Sequence, residues 1–428
     1  MKAHLRKLGC KQLTNAGNWI TSDAILLNDV ERWTYTAMDV IAVNKYYGGE
    51  HKGPNRGWRI DPGDTYTSVS AAHDPRGVPA CLKQIKGLPM MITESSWVNP
   101  NLWQSEGPLV MAALQSLTGI DCYFWFAQTA PTYDDSLAIA LPWLNVGGQH
   151  PAFKWSCSIP AIMGGFPAAA VAFRQAHIRQ AKPVVSEVRS LDSMWKRELP
   201  IIAEEAITID PNRQEGGEAQ RAMARLKLDS GVNPLAFFVG PVEVEYGGRG
   251  ETRVESLEPF IDQAKKTVTS ATGELKLDWG RGVFTVDTPK TKGVTGFLQD
   301  AGGRFVLGGA TIASSNRYAT VMVTALDNEP LDRSRKVLIQ VGTLARPTGW
   351  EAADLGGGQS RVTRNGRKPW QVVKTAVAVG LLNPILTKAT LLDVAGFANP
   401  AHVNMEKTGA GVQVTLPENA MYVVLTDK

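Results

Sequence analysis

The stretch Leu88-Pro89-Met90-Met91-Ile92-Thr93-Glu94 is apolar from Leu88 to Ile92, follows a glycine, and closes on a carboxylate. A short continuous apolar run of this kind reads as a strand buried on both faces, as in parallel sheets. Upstream, Asp39-Val-Ile-Ala-Val-Asn44 has the same character. Downstream, Ser105 to Leu117 reads as a helix with Glu106 in its first turn and Gly119 as its cap, and Asp121-Cys-Tyr-Phe-Trp-Phe-Ala127 reads as a third buried strand. Further helices are expected over Ala24 to Ala37, with Ser22-Asp23 as an N-cap, and over Phe166 to Gln180. A short strand over Lys11 to Gly17 would end in Asn18-Trp19. Buried strands alternating with helices imply a parallel sheet covered by helices.

Near Ala181 the pattern changes. Short strands are expected over Leu235 to Tyr246, Gly282 to Asp287, Thr320 to Leu326, Lys336 to Thr343, Gln371 to Val379, Val412 to Pro417 and Met421 to Thr426, interrupted by a helix from Pro259 to Ser270. Evenly spaced short strands imply a β-sandwich. The chain thus divides into an α/β region over 1–180 and a sandwich region over 181–428. Pro211 to Asp229, rich in Arg, Gln, Glu and Gly, reads as an exposed insert. Gly48 to Gly87 is too long for an ordinary loop, and loops of that length are usually functional or disordered.

Composition excludes several classes. With 45 basic and 41 acidic residues mixed along the chain, the net charge of +4 is no nucleic-acid footprint. Cys10, Cys81, Cys122 and Cys157 fit no zinc spacing and read as free thiols, and the six histidines form no HxxxH pair, so no metal or other cofactor is expected. There is no GxGxxG at the start of a βαβ unit and no P-loop. Gly356-Gly-Gly-Gln-Ser lacks the Lys-Ser/Thr ending and reads as a flexible loop. The N-terminus has basic residues but no apolar signal core, and no run of about 18 apolar residues exists. No membrane partner is expected, and the cell location stays open, cytoplasmic for the chain as it stands.

Glu94 is the leading candidate for chemistry. A carboxylate at the C-terminal end of a buried parallel strand points into the mouth where such folds build their sites. Eight of the 12 tryptophans (19, 33, 58, 97, 103, 125, 143, 155) precede residue 156, several just past strand ends. Flat aromatic rings there suit the C–H faces of sugars, although core packing is an equally common use.

Met90-Met-Ile-Thr-Glu94-Ser-Ser-Trp97 resembles the nucleophile strand of retaining glycoside hydrolases of the (β/α)8 superfamily called clan A, in a form similar to family 5. Asp39-Val-Ile-Ala-Val-Asn44-Lys-Tyr46-Tyr47 resembles that clan's sixth strand, and Asp121-Cys-Tyr-Phe-Trp125-Phe-Ala-Gln128 its eighth, with Asn18-Trp19 ending the fifth. The resemblance covers about residues 5–180. It implies a partial (β/α)8 barrel, strands five to eight, followed by the sandwich. It also implies Glu94 as nucleophile with a hydrogen bond from Tyr46, and a sugar held by Trp19, Asn44, Tyr47, Trp97, Trp125 and Gln128. The substrate would be a β-linked glycan or its oligosaccharides. The sandwich strands resemble domains that brace the barrel or contribute to glycan binding, where Asp287 and Trp350 could touch sugar.

A retaining glycosidase needs a second carboxyl group about 5–5.5 Å from the first as acid/base. In the family it follows an Asn at the end of strand four, which has no counterpart here. Three explanations compete: a fragment of a longer product, a second copy pairing half-barrel to half-barrel, or a different carboxylate. Candidates for the last are Glu50, Asp64, Asp74, Glu106, Asp134 and Asp135. A half-barrel leaves open edges and an apolar inner face, which motivates a homo-oligomer, a dimer closing the barrel. The alternative function is a non-catalytic carbohydrate-binding or structural remnant.

Overall fold

The computed structural model describes residues 1–19, 26–48, 51–54, 59–127, 152–204 and 231–428. Glu50, Gln128, Asp134, Asp135, the Ser22-Asp23 pair and the insert over 211–229 lie outside the described residues.

Three parallel strands, β1 (Ile41–Asn44), β2 (Met90–Ser95) and β3 (Cys122–Trp125), lie side by side in that order. Residues 14–18 run along the outer side of β1. The backbone N–H of Asp39 donates to Thr14 at 2.9 Å and that of Asn44 to Asn18 at 2.7 Å, although Lys11 to Gly17 forms no regular strand. Three helices accompany the sheet: α1 (Asn28–Tyr35), α2 (Gly107–Thr118) and α3 (Phe166–Arg174). Helix α2 stops at Gly119, whose φ of 77° is the left-handed cap that its sequence position suggests.

The two faces of this sheet differ. Ile41, Val43, Met90 and Ile92 are fully buried in a core shared with Leu109, Ala113, Leu114 and Leu117 of α2. Tyr123 and Trp125 pack against the same core. The alternate residues Ala42, Asn44, Met91, Thr93, Cys122 and Phe124 take the other face, where Ala42 and Asn44 are buried but Phe124 is 51% exposed. The expected full burial of Cys122–Trp125 is therefore corrected. Among the described residues no further strand pairs with its outer edge, and no closed barrel is formed.

Past residue 181 the chain first builds a small mixed sheet, not the sandwich. Strands β4 (Val185–Arg189) and β5 (Val242–Tyr246) run parallel to each other and to Gln84–Ile85. Within the expected strand over 235–246, Ala236–Val239 is a helical turn, because an apolar run alone does not distinguish buried helix from strand. The expected helix over 259–270 is a hairpin of Ile261–Asp262 and Thr267–Thr269. The Asp262 carboxylate accepts the N–H of Lys265 at 2.9 Å, Lys266 turns at φ 55°, and Thr267-Val-Thr269 pairs onward with Leu275–Asp278.

The sandwich is an antiparallel ten-stranded sheet on an antiparallel five-stranded one. Central strands of the larger sheet are Val283–Asp287, Thr291–Gly296, Ala319–Ala325, Lys336–Gly342 and Tyr422–Thr426. Val321, Val323, Val337, Ile339, Val423 and Leu425 meet Ile312, Val379, Leu381 and Val414 of the smaller sheet. Their neighbours Met322, Leu338 and Tyr422 point the other way, into the α2 core. Burial on both faces explains why Ala319–Ala325 is buried at every position instead of alternating. The buried Gln340 bridges the layers: its Oε1 accepts the N–H of Ala168 at 3.0 Å and its Nε2 donates to Gly165 at 2.9 Å, capping α3 from the sheet. No helix among the described residues is long and apolar enough to cross a membrane, and all four cysteines are free thiols.

A buried ionic network ties α1 to the small mixed sheet. Arg32 binds both oxygens of Glu204 at 2.6 and 2.8 Å, with neither side chain exposed. Lys83 pairs with Asp29 at 2.6 Å, Arg189 lies 3.7 Å from Asp29 and 3.5 Å from Glu187, and the Tyr246 hydroxyl donates to Asp29 at 2.9 Å. Burial alone would raise the Asp29 carboxyl, but the cations of Lys83 and Arg189 hold it below the usual range.

His177, just beyond α3, packs on the sandwich with Nδ1 2.9 Å from the Thr291 hydroxyl. Burial, with Lys290 nearby, lowers its pKa to about 4. A histidine held neutral by the fold binds fewer protons than in the unfolded chain. Its contribution is therefore present above about pH 6.5 and lost as pH falls toward 4. We expect His177→Gln to flatten the acid limb of the stability–pH curve by on the order of 2 kcal/mol at pH 4. Urea melts of both proteins at pH 7 and pH 4 test this, and equal pH slopes would refute it.

Candidate functional site

The site lies at the C-terminal ends of β1 and β2. A bulge at Thr93 brings Glu94 opposite Asn44 in the register. The carboxylate is thereby aimed out of the sheet, half-buried, at the open end of the strands. The Tyr46 hydroxyl donates to Glu94 Oε2 at 2.7 Å. Tyr46 is held by edge contact with Phe126 at 6.4 Å and a tilted contact with Trp155 at 6.0 Å. Thr93 Oγ1 donates to Asn44 Oδ1 at 2.8 Å, which leaves the Asn44 amide nitrogen buried without a partner among the described residues. Asn44 is 0% exposed, so this nitrogen is as enclosed as Trp97 and is not presented to a ligand.

The structure brings Tyr46 and Glu94 together, and it encloses Asn44 opposite Glu94, so the sugar contact expected of Asn44 is corrected. It corrects two aromatic assignments. The Trp97 side chain is 0% exposed, donates Nε1–H to Glu106 at 3.0 Å and packs on Tyr47 at 5.0 Å, so it is core and cannot meet a sugar. Tyr47 is equally enclosed, with its hydroxyl on the Asp74 carbonyl at 2.9 Å. Trp125 is half-buried on the helix side, against Phe166 at 5.1 Å and Trp97 at 6.1 Å. Trp19 is half-buried at the end of the segment beside β1, its carbonyl accepting from Tyr35 at 2.7 Å. Phe126 and Trp155 flank the Tyr46–Glu94 pair without having been singled out for it. Trp155 comes from a segment with no local pattern, placed by the Ala127 N–H that donates to its carbonyl at 2.6 Å.

Two acid candidates are also corrected. Glu106 is fully buried, and its oxygens accept from Ser70, the Ala71 N–H, Trp97 and Tyr318 at 2.6 to 3.0 Å. Burial holds its carboxyl above the usual range against those four hydrogen bonds, and no ligand can reach it. Its role is to join the loop after β1 to the sandwich through Tyr318. Asp64 is 2% exposed, 3.0 Å from His51 Nε2 and bonded to the Asp61 N–H at 2.9 Å. Asp74 is exposed and 3.3 Å from Arg76.

A kinked ribbon of β6 (Ala345–Thr348), β7 (Glu351–Gly356), β8 (Gln359–Arg364) and β9 (Arg367–Val372) leaves the C-terminal region, and β8 pairs with Thr65–Thr67 of the long loop after β1. The glycine run at its tip is a hairpin turn, with φ of 83°, 61° and 78° at Gly356, Gly357 and Gly358, which side-chain-bearing residues rarely adopt. Trp350 packs on Ile60, Tyr66 and Val362. Asp287 lies elsewhere, paired with Lys292.

No protein-family model, no curated protein and no solved structure matches the chain.

Proposed function

We propose that residues 1–180 carry strands five to eight of a (β/α)8 barrel, and that the chain belongs to a retaining glycoside hydrolase acting on β-linked glycans with Glu94 as nucleophile. The observation that carries this reading is the 2.7 Å hydrogen bond from Tyr46 to Glu94 across the ends of adjacent parallel strands. The parallel order β1-β2-β3, with residues 14–18 beside β1, supports it. The tyrosine hydroxyl fixes the orientation of the carboxylate that attacks. Glu94 adds to the anomeric carbon as the bond to the leaving-group oxygen breaks and that oxygen takes a proton. Water then resolves the glycosyl ester and gives up its own proton.

The acid/base partner is a group other than Glu106 or Asp64, both enclosed. Asp74 is open, and Glu50, Asp134 and Asp135 remain in the field. The half-exposed inner face with Phe124 supports a second set of strands covering it, and a second copy of the chain is the occupant proposed. Sedimentation of the pure chain as a monomer at all concentrations would remove that part.

The test is nitrophenol release from aryl β-glycosides (galactoside, glucoside, xyloside, mannoside, fucoside), wild type beside Glu94→Gln. Aryl leaving groups need little acid help, so activity is expected in wild type alone. Folded wild type with no turnover, and sugar binding unchanged in Glu94→Gln, would establish a non-catalytic binding remnant instead.

A further inference from the structure

A tyrosine hydroxyl stands at the far end of two side-chain torsions, so its position is set by what packs along the ring. For Tyr46 the main chain fixes only where that ring starts. The N–H groups of its neighbours Lys45 and Tyr47 donate to the carbonyls of Glu94 and Ser96 at 3.1 and 2.9 Å. Beyond that, Tyr46 meets two rings. Phe126 is half-buried and meets it edge-on. Trp155 is enclosed: it is 2% exposed against 3% for Tyr46, with ring centroids 6.0 Å apart and planes tilted by 47°. The enclosed ring has no room to give way, so it sets the more exacting limit on where the Tyr46 hydroxyl can lie.

Trp155 is itself placed from elsewhere. Its carbonyl accepts the Ala127 N–H at 2.6 Å, and the Cys157 N–H returns to the Ala127 carbonyl at 3.0 Å, which ties the segment to the end of β3. The preceding carbonyl, that of Lys154, accepts the Asn99 N–H at 2.7 Å, which ties it to the loop after β2. Upstream, Ala152–Phe153 pairs with Arg59–Ile60, and the Ile60 carbonyl accepts Asn365 Nδ2 at 2.8 Å. None of these bonds involves β1 or Tyr46. The Trp155 ring is therefore a wall against which Tyr46 is set, and not a follower of it. It is too enclosed to stack on a sugar, so what it can give the site is orientation.

We propose that Trp155 is a positioning residue: it holds the Tyr46 ring where the hydroxyl meets Glu94 Oε2. This rests on the glycosidase reading above. A ring that served the core alone would affect stability and leave turnover per folded molecule unchanged. A ring that positions the Tyr46–Glu94 pair affects kcat, because misplacement of about 1 Å costs up to about 100-fold.

The test is a double-variant cycle on the best aryl β-glycoside: wild type, Trp155→Leu, Tyr46→Phe and both together, each shown to be folded. Trp155→Leu is expected to lower kcat about tenfold with KM within about twofold. Trp155→Phe, which keeps a ring, is expected to return kcat to within about threefold of wild type. With Tyr46→Phe in place there is no hydroxyl left to aim, so adding Trp155→Leu is expected to cost less than about twofold more. If Trp155→Leu does not fold, Trp155→Phe takes its place in the cycle, and its smaller loss must vanish in the same background. Unchanged kcat in a folded Trp155 variant, a loss confined to KM, or losses that simply multiply in the double variant overturns the positioning role. With turnover that still depends on Glu94, such a result removes that role alone. Folded wild type with no turnover removes the glycosidase reading and the positioning role with it.

Discussion

Glu94→Gln is expected to lower kcat/KM on the best aryl β-glycoside by at least about 10³-fold, near 4 kcal/mol in barrier, without loss of the fold. Gln keeps the volume of Glu, and its amide oxygen can still accept the Tyr46 hydroxyl, so Tyr46, Phe126 and Trp155 have no reason to move. What disappears, on the proposed mechanism, is the anion that would form the glycosyl ester. Tyr46→Phe tests the same geometry from the other side. It removes one hydrogen bond to a charged acceptor, worth about 1.5–3 kcal/mol, and is expected to cost about 10- to 100-fold. The order of the two effects is the informative part. A Tyr46→Phe enzyme weaker than Glu94→Gln would mean that the tyrosine, not the carboxylate, carries the chemistry.

The largest expected loss of stability lies in the buried ionic network of α1. Arg32→Met leaves the Glu204 side chain at 0% exposure, with the Lys83 N–H at 2.7 Å as its remaining hydrogen bond among the described residues. Breaking one side of a buried pair costs about 3–5 kcal/mol, because the surviving charge keeps its desolvation penalty. Burial works against the charge of Arg32, and Glu204 is what holds its proton more firmly than usual. Adding Glu204→Leu to Arg32→Met removes the orphaned carboxylate and is expected to recover half or more of the loss. Urea unfolding of wild type, both single variants and the double variant gives the cycle. A single-variant cost under about 1 kcal/mol would mean that water enters the network and screens it.

The parts legible in the sequence were those fixed by local chemistry. The apolar runs at Ile41–Asn44 and Met90–Ser95, the helix Gly107–Thr118 and its Gly119 cap each follow from a few adjacent residues. The Tyr46–Glu94 pair came from the family resemblance and not from adjacent residues: Tyr46 lies two residues past Ile41–Asn44, and Glu94 lies within Met90–Ser95. Trp97 and Tyr47 were not legible. An aromatic beyond a strand end faces either the cleft or the helix layer, and the bulge at Thr93 helps set which. The hairpin over 261–269 was misread because Gln263-Ala-Lys-Lys266 has good helix formers, and its true partner, Leu275–Asp278, competes from outside the window. The loop over Gly48 to Gly87 looked structureless because the strand that organises Thr65–Thr67 comes from Gln359–Arg364, some 300 residues later.

The ten-stranded sheet, with one core on each face, has a consequence for how the chain assembles. Met322, Leu338 and Tyr422 fill the layer beneath α2, while Val321, Val323, Val337 and Ile339 on the same strands fill the sandwich. Neither layer can lose its packing without stripping a face of the other. Its eighth strand, Tyr422–Thr426, pairs with Lys336–Gly342 on one side and Lys388–Leu392 on the other, contacts distant along the chain. Such non-local pairing slows folding, and a shared sheet couples the two layers into one melting event. A scanning calorimeter should record a single cooperative transition for Glu94's platform and the sandwich together, and a protease should find no stable half to release.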